Sequence, residues 1–448
     1  MPFPAPVLSD AGTVLCVIAI FLIPFAWAGL SLINTGLGRS RSASHSMLSS
    51  LCVISVAALV YFAFGFAWQG YPGIAGYHIT VAGKEWGWIA RQKFLLRGIV
   101  LNGSPVSLAV LFGMSSVGLA ALIPLGAGAE RWRLRAICSS TALLAGWTYP
   151  VFAHWVWGGG WLAQLGSTSG LGRGFVDAGG SSTIQAVGGL TALSMAWILG
   201  PRRGKYTLEG MPSAIPGHNS VLILLGCMLA LVGWIGLNVA GSLLFTGADP
   251  GLSVLVAVNT TLSGAAAALM GVAITGVRFG KPDASLSANS WIGGLVASSA
   301  ACAFVVPAEA IVIGGIAGAL VTFSVEWFEL RLAIDDPSGA ISSHAVGGIW
   351  GVLSVGIFAN FAGVPLPASA RGLAGAETGQ WLAQLAGLAS LIGFVLPTAY
   401  ALNWLLDRAY PQRIATEGER QGLDLYELGS GAYPEFATHS EEFSQRKM

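Results

Sequence analysis

The stretch DAGGSSTIQAVGG, residues 177–189, returns as DPSGAISSHAVGG at residues 336–348. Each copy opens on an acid, Asp177 or Asp336, and places an amide or imidazole, Gln185 or His344, eight residues later, followed by Ala-Val-Gly-Gly. The second copy begins 159 residues after the first, and both lie in long apolar runs. The chain therefore reads as two related halves, with one polar residue from each half at their interface.

Composition says where those halves reside. Hydrophobic residues make up 54% of the chain and charged residues 10%, against about 25% charged in ordinary globular domains. That leaves too little polar surface for water and points to a bilayer. A net charge of +1 without a Lys/Arg-rich run excludes nucleic acid as a partner. Cys16, Cys52, Cys138, Cys227 and Cys302 sit in or beside apolar segments without a CxxC pattern and read as small buried hydrophobes. Neither a metal-ligand cluster nor a carboxylate pair nor an activated nucleophile stands out, so no cofactor and no enzymatic activity are expected. Met1 to Asp10 lacks Lys and Arg, so the first apolar stretch is expected to be retained as a helix.

A spanning helix needs about 20 mostly apolar residues. Eleven such runs occur, near 12–34, 47–69, 102–126, 136–157, 181–200, 217–244, 252–276, 286–305, 307–327, 339–360 and 378–406. Between the eighth and ninth only Pro307 and Glu309 mark a turn. The motifs fall in spans five and ten. Five is odd, so the halves enter the membrane from opposite sides, and inverted repeats of this kind point to a transporter with its solute site near the midplane. The expected fold is an all-α membrane protein of eleven transmembrane helices: two inverted five-helix repeats, about 12–200 and 217–360, then a final helix at 378–406. Residues 1–406 form the membrane domain and 407–448 a polar cytoplasmic tail. With the N-terminus outside, inner loops hold eleven basic residues (Arg39 to Arg331) and outer loops six (Lys84 to Arg371), the bias expected for cytoplasmic loops.

Asp177 and Asp336 each precede a helical run, where a carboxylate accepts bonds from free first-turn N–H groups, so both are expected to be structural caps. Eight residues of helix advance the chain about 12 Å, which brings Gln185 and His344 together near the centre of the membrane. They either lock the repeats to each other or line a polar passage; polar groups in hydrocarbon are costly without a partner or water, which favours the passage. Gly188, Gly189, Gly347 and Gly348 let helices pack closely around it. At the outer end of span four, His154-Trp155-Val156-Trp157-Gly158-Gly159-Gly160 offers tryptophan faces that suit a small cation; Trp155 and Trp161 read as an interfacial belt. His45, His78, His218 and His439 fall in loops, at a span edge or in the tail.

These residues resemble the ammonium transporter family, whose acid-x7-His motif occupies helices five and ten of eleven. Further matching pieces are Gly126-Ala127-Gly128-Ala129-Glu130-Arg131, Val156-Trp157-Gly158-Gly159-Gly160, Gly233-Trp234-Ile235-Gly236-Leu237-Asn238, Gly280-Lys281-Pro282 and Glu419-Arg420-Gln421-Gly422-Leu423-Asp424 through Gly431-Ala432-Tyr433. The resemblance implies a homotrimer in the plasma membrane with one pore per subunit, carrying ammonium or methylammonium inward, and a tail through which cytoplasmic PII signalling proteins couple. It implies an outer cation site at Trp157 and Phe112, with Ser242 the nearest serine to the family's hydroxyl position, where Gly241 aligns.

Three positions depart from the family. Gln185 replaces the first pore histidine, and Ser116 and Leu237 replace two stacked phenylalanines that gate the pore. Glutamine donates and accepts hydrogen bonds but has no accessible pKa, and loss of both rings is expected to leave a wider, wetter entrance. An ammonium permease is therefore one reading. A sensor that binds ammonium without turnover is another; its tail is too short for an output domain, so it needs a separate partner. A pore for a different small solute is the third.

Overall fold

The computed structural model describes residues 7–73, 76–361 and 379–433; Arg371, His439 and the rest of the tail lie outside the described residues. Among the described residues, ten helices are long and apolar enough to cross a bilayer: α1 Asp10–Leu37, α2 Ser40–Gln69, α3 Pro105–Gly128, α4 Leu134–Val156, α5 Ser181–Leu199, α6 Ser220–Thr246, α7 Pro250–Phe279, α9 Pro307–Leu332, α10 Ile341–Phe358 and α11 Gln380–Ala409. Helix α8, Ala284–Ala301, lies between α7 and α9 and brings the number to the eleven expected. It is the least apolar because it faces protein: Ser290 Oγ lies 2.9 Å from Thr322 Oγ1 of α9, and Ser263 Oγ of α7 donates to Gly294 O at 2.8 Å. The turn expected at Pro307 is present, with Glu309 Oε2 accepting from Val306 N at 2.9 Å.

Two elements differ from the expectation. Helix α2 starts at Ser40 rather than near 47, because the free N–H groups of its first turn are met by the tail: Asp424 accepts from Ser44 N at 3.1 Å and from His45 N at 2.7 Å. His45 is thus a buried helical residue, and its Nε2 lies 2.7 Å from Glu427 Oε2. The segment after α2, read only as a basic cluster, contains an antiparallel hairpin, β1 Gly76–Val81 and β2 Lys84–Ala90. Its two-residue turn has Ala82 at φ 53° and Gly83 at φ 74°, the doubly positive pattern that matches the twist of a hairpin.

Eleven crossings put the start of α1 and the hairpin on one face and residues 410–433 on the other. Helices α1 and α6, the first of each repeat, run antiparallel with backbones almost touching. A Cβ built on Gly29 meets Gly226 O at 2.6 Å and Ala230 N at 2.8 Å; one built on Gly36 meets Asn219 O at 2.7 Å. Small residues at helix contacts are what permit such approach within lipid, where van der Waals packing rather than the hydrophobic effect holds helices together.

On the tail face, charged groups tie four loops together. Arg202 donates to both oxygens of Asp335 at 2.9 Å and to Glu130 at 2.8 Å; Arg39 also donates to Glu130, and Arg131 reaches Asp335 O at 2.8 Å. Burial alone raises the Asp335 carboxyl, but Arg202 and Arg131 outweigh it and hold the group below the usual carboxylate range. Arg413 and the backbone N of Arg203 both grip Glu419, fastening the tail to this network.

Two outcomes follow. Gly226→Leu, which forces a side chain into the α1 backbone, is expected to cost about 1–3 kcal/mol and to lower the thermal midpoint in detergent, whereas Gly393→Ala, with open space around it, leaves the midpoint in place. Asp335 contributes stability fully above about pH 4, its unfolded value, and loses it as pH falls through the lower folded value. Asp335→Asn should therefore destabilise the protein at pH 7 by about 3–5 kcal/mol, as breaking a buried pair does, and flatten the acid limb of a stability–pH profile.

Candidate substrate pathway at the crossing of α5 and α10

Each of these helices is launched by its acid. Asp177 Oδ1 accepts from Gly180 N, and Oδ2 accepts from the backbone N and hydroxyl of Ser182 and of Thr183, at 2.6–3.0 Å. Asp336 Oδ2 accepts from Ile341 N at 2.7 Å. Both helices then open with a wide π turn, Ser181–Ala186 in α5 and Ile341–Val346 in α10, a form that recurs at functional sites. The turns cross at the van der Waals limit: a Cβ on Gly189 would collide with Ala345, and one on Gly348 with Ser181 O.

The two π turns hold the two polar residues. His344 Nδ1 and Gln185 Oε1 are 2.9 Å apart, and both side chains are buried. A carbonyl oxygen only accepts, so the proton sits on His344 Nδ1, leaving His344 Nε2 as an acceptor and Gln185 Nε2 as a donor. The Trp234 ring of α6 lies 6.4 Å from the imidazole, centroid to centroid. Gln185 Nε2, Trp234 Nε1 and Ser116 Oγ are buried and have no protein partner. Unpartnered polar atoms deep in a membrane domain cost about 1–3 kcal/mol each unless something else meets them.

Toward the hairpin face, Phe112 and Trp157 are brought together edge-to-face with centroids 5.6 Å apart, and Trp157 Nε1 donates to Asp177 O at 2.8 Å. The Ser242 hydroxyl lies 3.5 Å from Cys302 Sγ. The entrance is not the open one expected from Ser116 and Leu237, both of which are fully buried. Phe245 covers it, stacked on Trp157 at 4.5 Å with 7° between planes and edge-on to Phe112 at 5.2 Å. A π turn at Ser242–Thr246 aims this ring, pinned by Tyr71 Oη donating to Leu244 O at 2.8 Å. Sequence reading missed Phe245 because it lies in no matching motif; its spacing of one turn beyond Gly241 was the available signal. Trp234 was quoted as part of a motif, but nothing in its local sequence places it beside His344.

On the tail side a cavity of about 10 Å³, bounded by His344, Ser343, Ser338 and Asn289, leads toward one of about 130 Å³ bounded by Asn289, Ser342, Asp336, Arg202, Lys205 and Glu329. Asn289 borders both. Polar residues thus run from the ring cluster, past Ser116, Trp234, Gln185 and His344, to the tail face.

The profile of the Ammonium Transporter Family matches residues 14–433. The chain is 35% identical over 427 residues to ammonium transporter Amt2 of Archaeoglobus fulgidus, covering 93% of this chain and 86% of that protein. It is 29% identical to the ammonium transporter of Bacillus subtilis, covering 93% and 96%. Among solved structures it superposes on a sensor Amt protein with a TM-score of 0.82 at 27% identity, covering 93% and 98% of the two chains. Mep2 of Candida albicans, at 23% identity and a TM-score of 0.77 over 97% and 92%, shares the fold. This chain, with its two acid-led helices crossing at Gln185 and His344, belongs to the Ammonium Transporter Family.

Proposed function

We propose that this protein carries ammonium across the plasma membrane through a pore within each subunit of a homotrimer, with its N-terminus outside and its tail in the cytoplasm. The observation that carries this reading is the buried Gln185–His344 contact flanked by Gln185 Nε2, Trp234 Nε1 and Ser116 Oγ, none of which has a protein partner. Ammonia, a donor and acceptor of molecular size, satisfies such groups in turn. In this reading Trp157 and Phe112 form the outer cation site, Gln185, His344, Ser116 and Leu237 line the passage, and Asp177 and Asp336 cap its two helices. The halves, about 12–200 and 217–360, supply one wall each. The orientation puts the Arg39, Arg131 and Arg202 loops in the cytoplasm, in keeping with the basic-residue bias. A PII-type signalling protein is the proposed partner of the tail, which hydrogen bonds at Glu427 and Glu419 hold against α2 and the loop after α5.

Physics sets the order of events. An ammonium ion loses hydration at the mouth and gains cation–π attraction there, but carrying a full charge past Leu237 and through a buried passage costs far more than carrying ammonia. The ion therefore gives its proton to water at the mouth and goes on as ammonia. Gln185 bonds the amine but cannot accept a proton, so the pair cannot hand a proton from one side chain to the other as two imidazoles can. Phe245 adds a barrier: each aromatic pair is worth about 0.5–1.5 kcal/mol, so opening it from Trp157 and Phe112 costs about 1–3 kcal/mol.

Purified trimers in liposomes are expected to give ammonium-dependent flux; silence in both current and labelled methylammonium uptake would count decisively against transport. Gln185→His is expected to raise proton-coupled current while uptake persists, and an unchanged current would show that the amide is not a broken relay. Phe245→Ala should raise methylammonium uptake at low concentration by about fivefold or more, the rate equivalent of about 1 kcal/mol; unchanged uptake would show that the ring does not restrict entry.

A further inference from the structure

The two acids of the repeat occupy equivalent positions but are not equally satisfied. Asp177 uses both oxygens, and its Oδ2 gathers the Ser182 and Thr183 hydroxyls. At the corresponding positions of the second copy stand Ile341 and Ser342. Isoleucine has no hydroxyl to offer to Oδ2, which accepts from Ile341 N, with the Ala340 N–H also acting on the carboxyl; Oδ1, which in the first copy is met by Gly180 N, is buried without a protein partner.

That bare oxygen belongs to a residue bordering the 130 Å³ cavity, large enough for several waters at about 30 Å³ each. The charges around it are otherwise balanced. Arg202 is committed to Asp335 and Glu130, and Lys205 Nζ is paired with Glu329 at 2.6 Å and reaches Ser213 O. Arg131, on the next loop, donates to Gly200 O, Ala129 O and Asp335 O. Two cations, Arg202 and Lys205, and three carboxylates, Asp335, Glu329 and Asp336, border the cavity, and both cations bond the first two, which leaves Asp336 as the carboxylate without a bonded cation there. It is the one with a free oxygen.

We propose that Asp336 is the anionic half of a tail-side binding site for a small monovalent cation, ammonium, at the mouth of the passage from His344. The proposal rests on the transport reading and adds to it a place where the product cation lodges before release. Asn289 and Ser342, which border the same cavity, supply neutral oxygens there. Burial raises the Asp336 carboxyl to about 6, with Asp335 adding to the rise and Arg131 and the N–H groups of Ile341 and Ala340 opposing it. Above that pH the group is an anion seeking a counter-ion; below it the charge and the site vanish together.

Thallium(I), a monovalent ion with strong anomalous scattering, reports the position directly. Crystals of the full chain soaked in thallium acetate at pH 7.5 are expected to show anomalous density against Asp336 Oδ1, lost at pH 5 and lost in Asp336→Asn, whose amide oxygen can still accept from Ile341 N. In proteoliposomes, inhibition of uptake by ammonium on the tail side should weaken about tenfold in Asp336→Asn, equivalent to about 1.4 kcal/mol. Water alone at Oδ1 in the wild type, or thallium density that persists in Asp336→Asn, overturns the proposal. Absence of flux in the wild type would remove the transport reading and leave thallium to decide the site.

Discussion

The antiparallel crossing of α5 and α10 is the constraint on which the molecule is organised. Two polar side chains can meet inside a bilayer only if their backbones approach closely enough, and Gly189 and Gly348 permit that approach where any Cβ would collide. The contact between Gln185 and His344 fixes which atoms remain for a solute. The antiparallel α1–α6 contact holds the same two halves at a second line, and the Arg202–Asp335–Glu130 network closes them at one end.

Each layer of the structure answers the cost of polarity in a dry medium. Asp177 satisfies five donors that would otherwise face hydrocarbon. Serines of α8 bond to α7 and α9. Some buried polar atoms escape this accounting, Gln185 Nε2, Trp234 Nε1 and Ser116 Oγ among them, and each such atom calls for a partner from outside the protein.

Much of this was legible in the chain. Hydropathy located the helices, including the turn at Pro307, and the repeated motif with its odd helix spacing gave the inverted halves and the meeting of Gln185 with His344. The early start of α2 was hidden because its first-turn donors are met by Asp424, nearly 400 residues away in sequence. No local pattern encodes such a partner. Phe245 was hidden for a related reason: that its ring packs on Trp157 and Phe112 is a fact of three-dimensional packing. The bare oxygen of Asp336 likewise appears only when its hydrogen bonds are compared with those of Asp177.

The paired π turns carry a meaning about descent. A wide turn adds one residue to a helix and rotates everything beyond it, and both halves contain one soon after their acids, from Ser181 after Asp177 and from Ile341 after Asp336. The wide turn is thus shared by both copies of the motif, as duplication of one segment would leave it. The glutamine, the histidine and the unequal treatment of the two acids are differences laid on that shared backbone, which lets two copies of one motif differ in chemistry without disturbing the crossing that holds them.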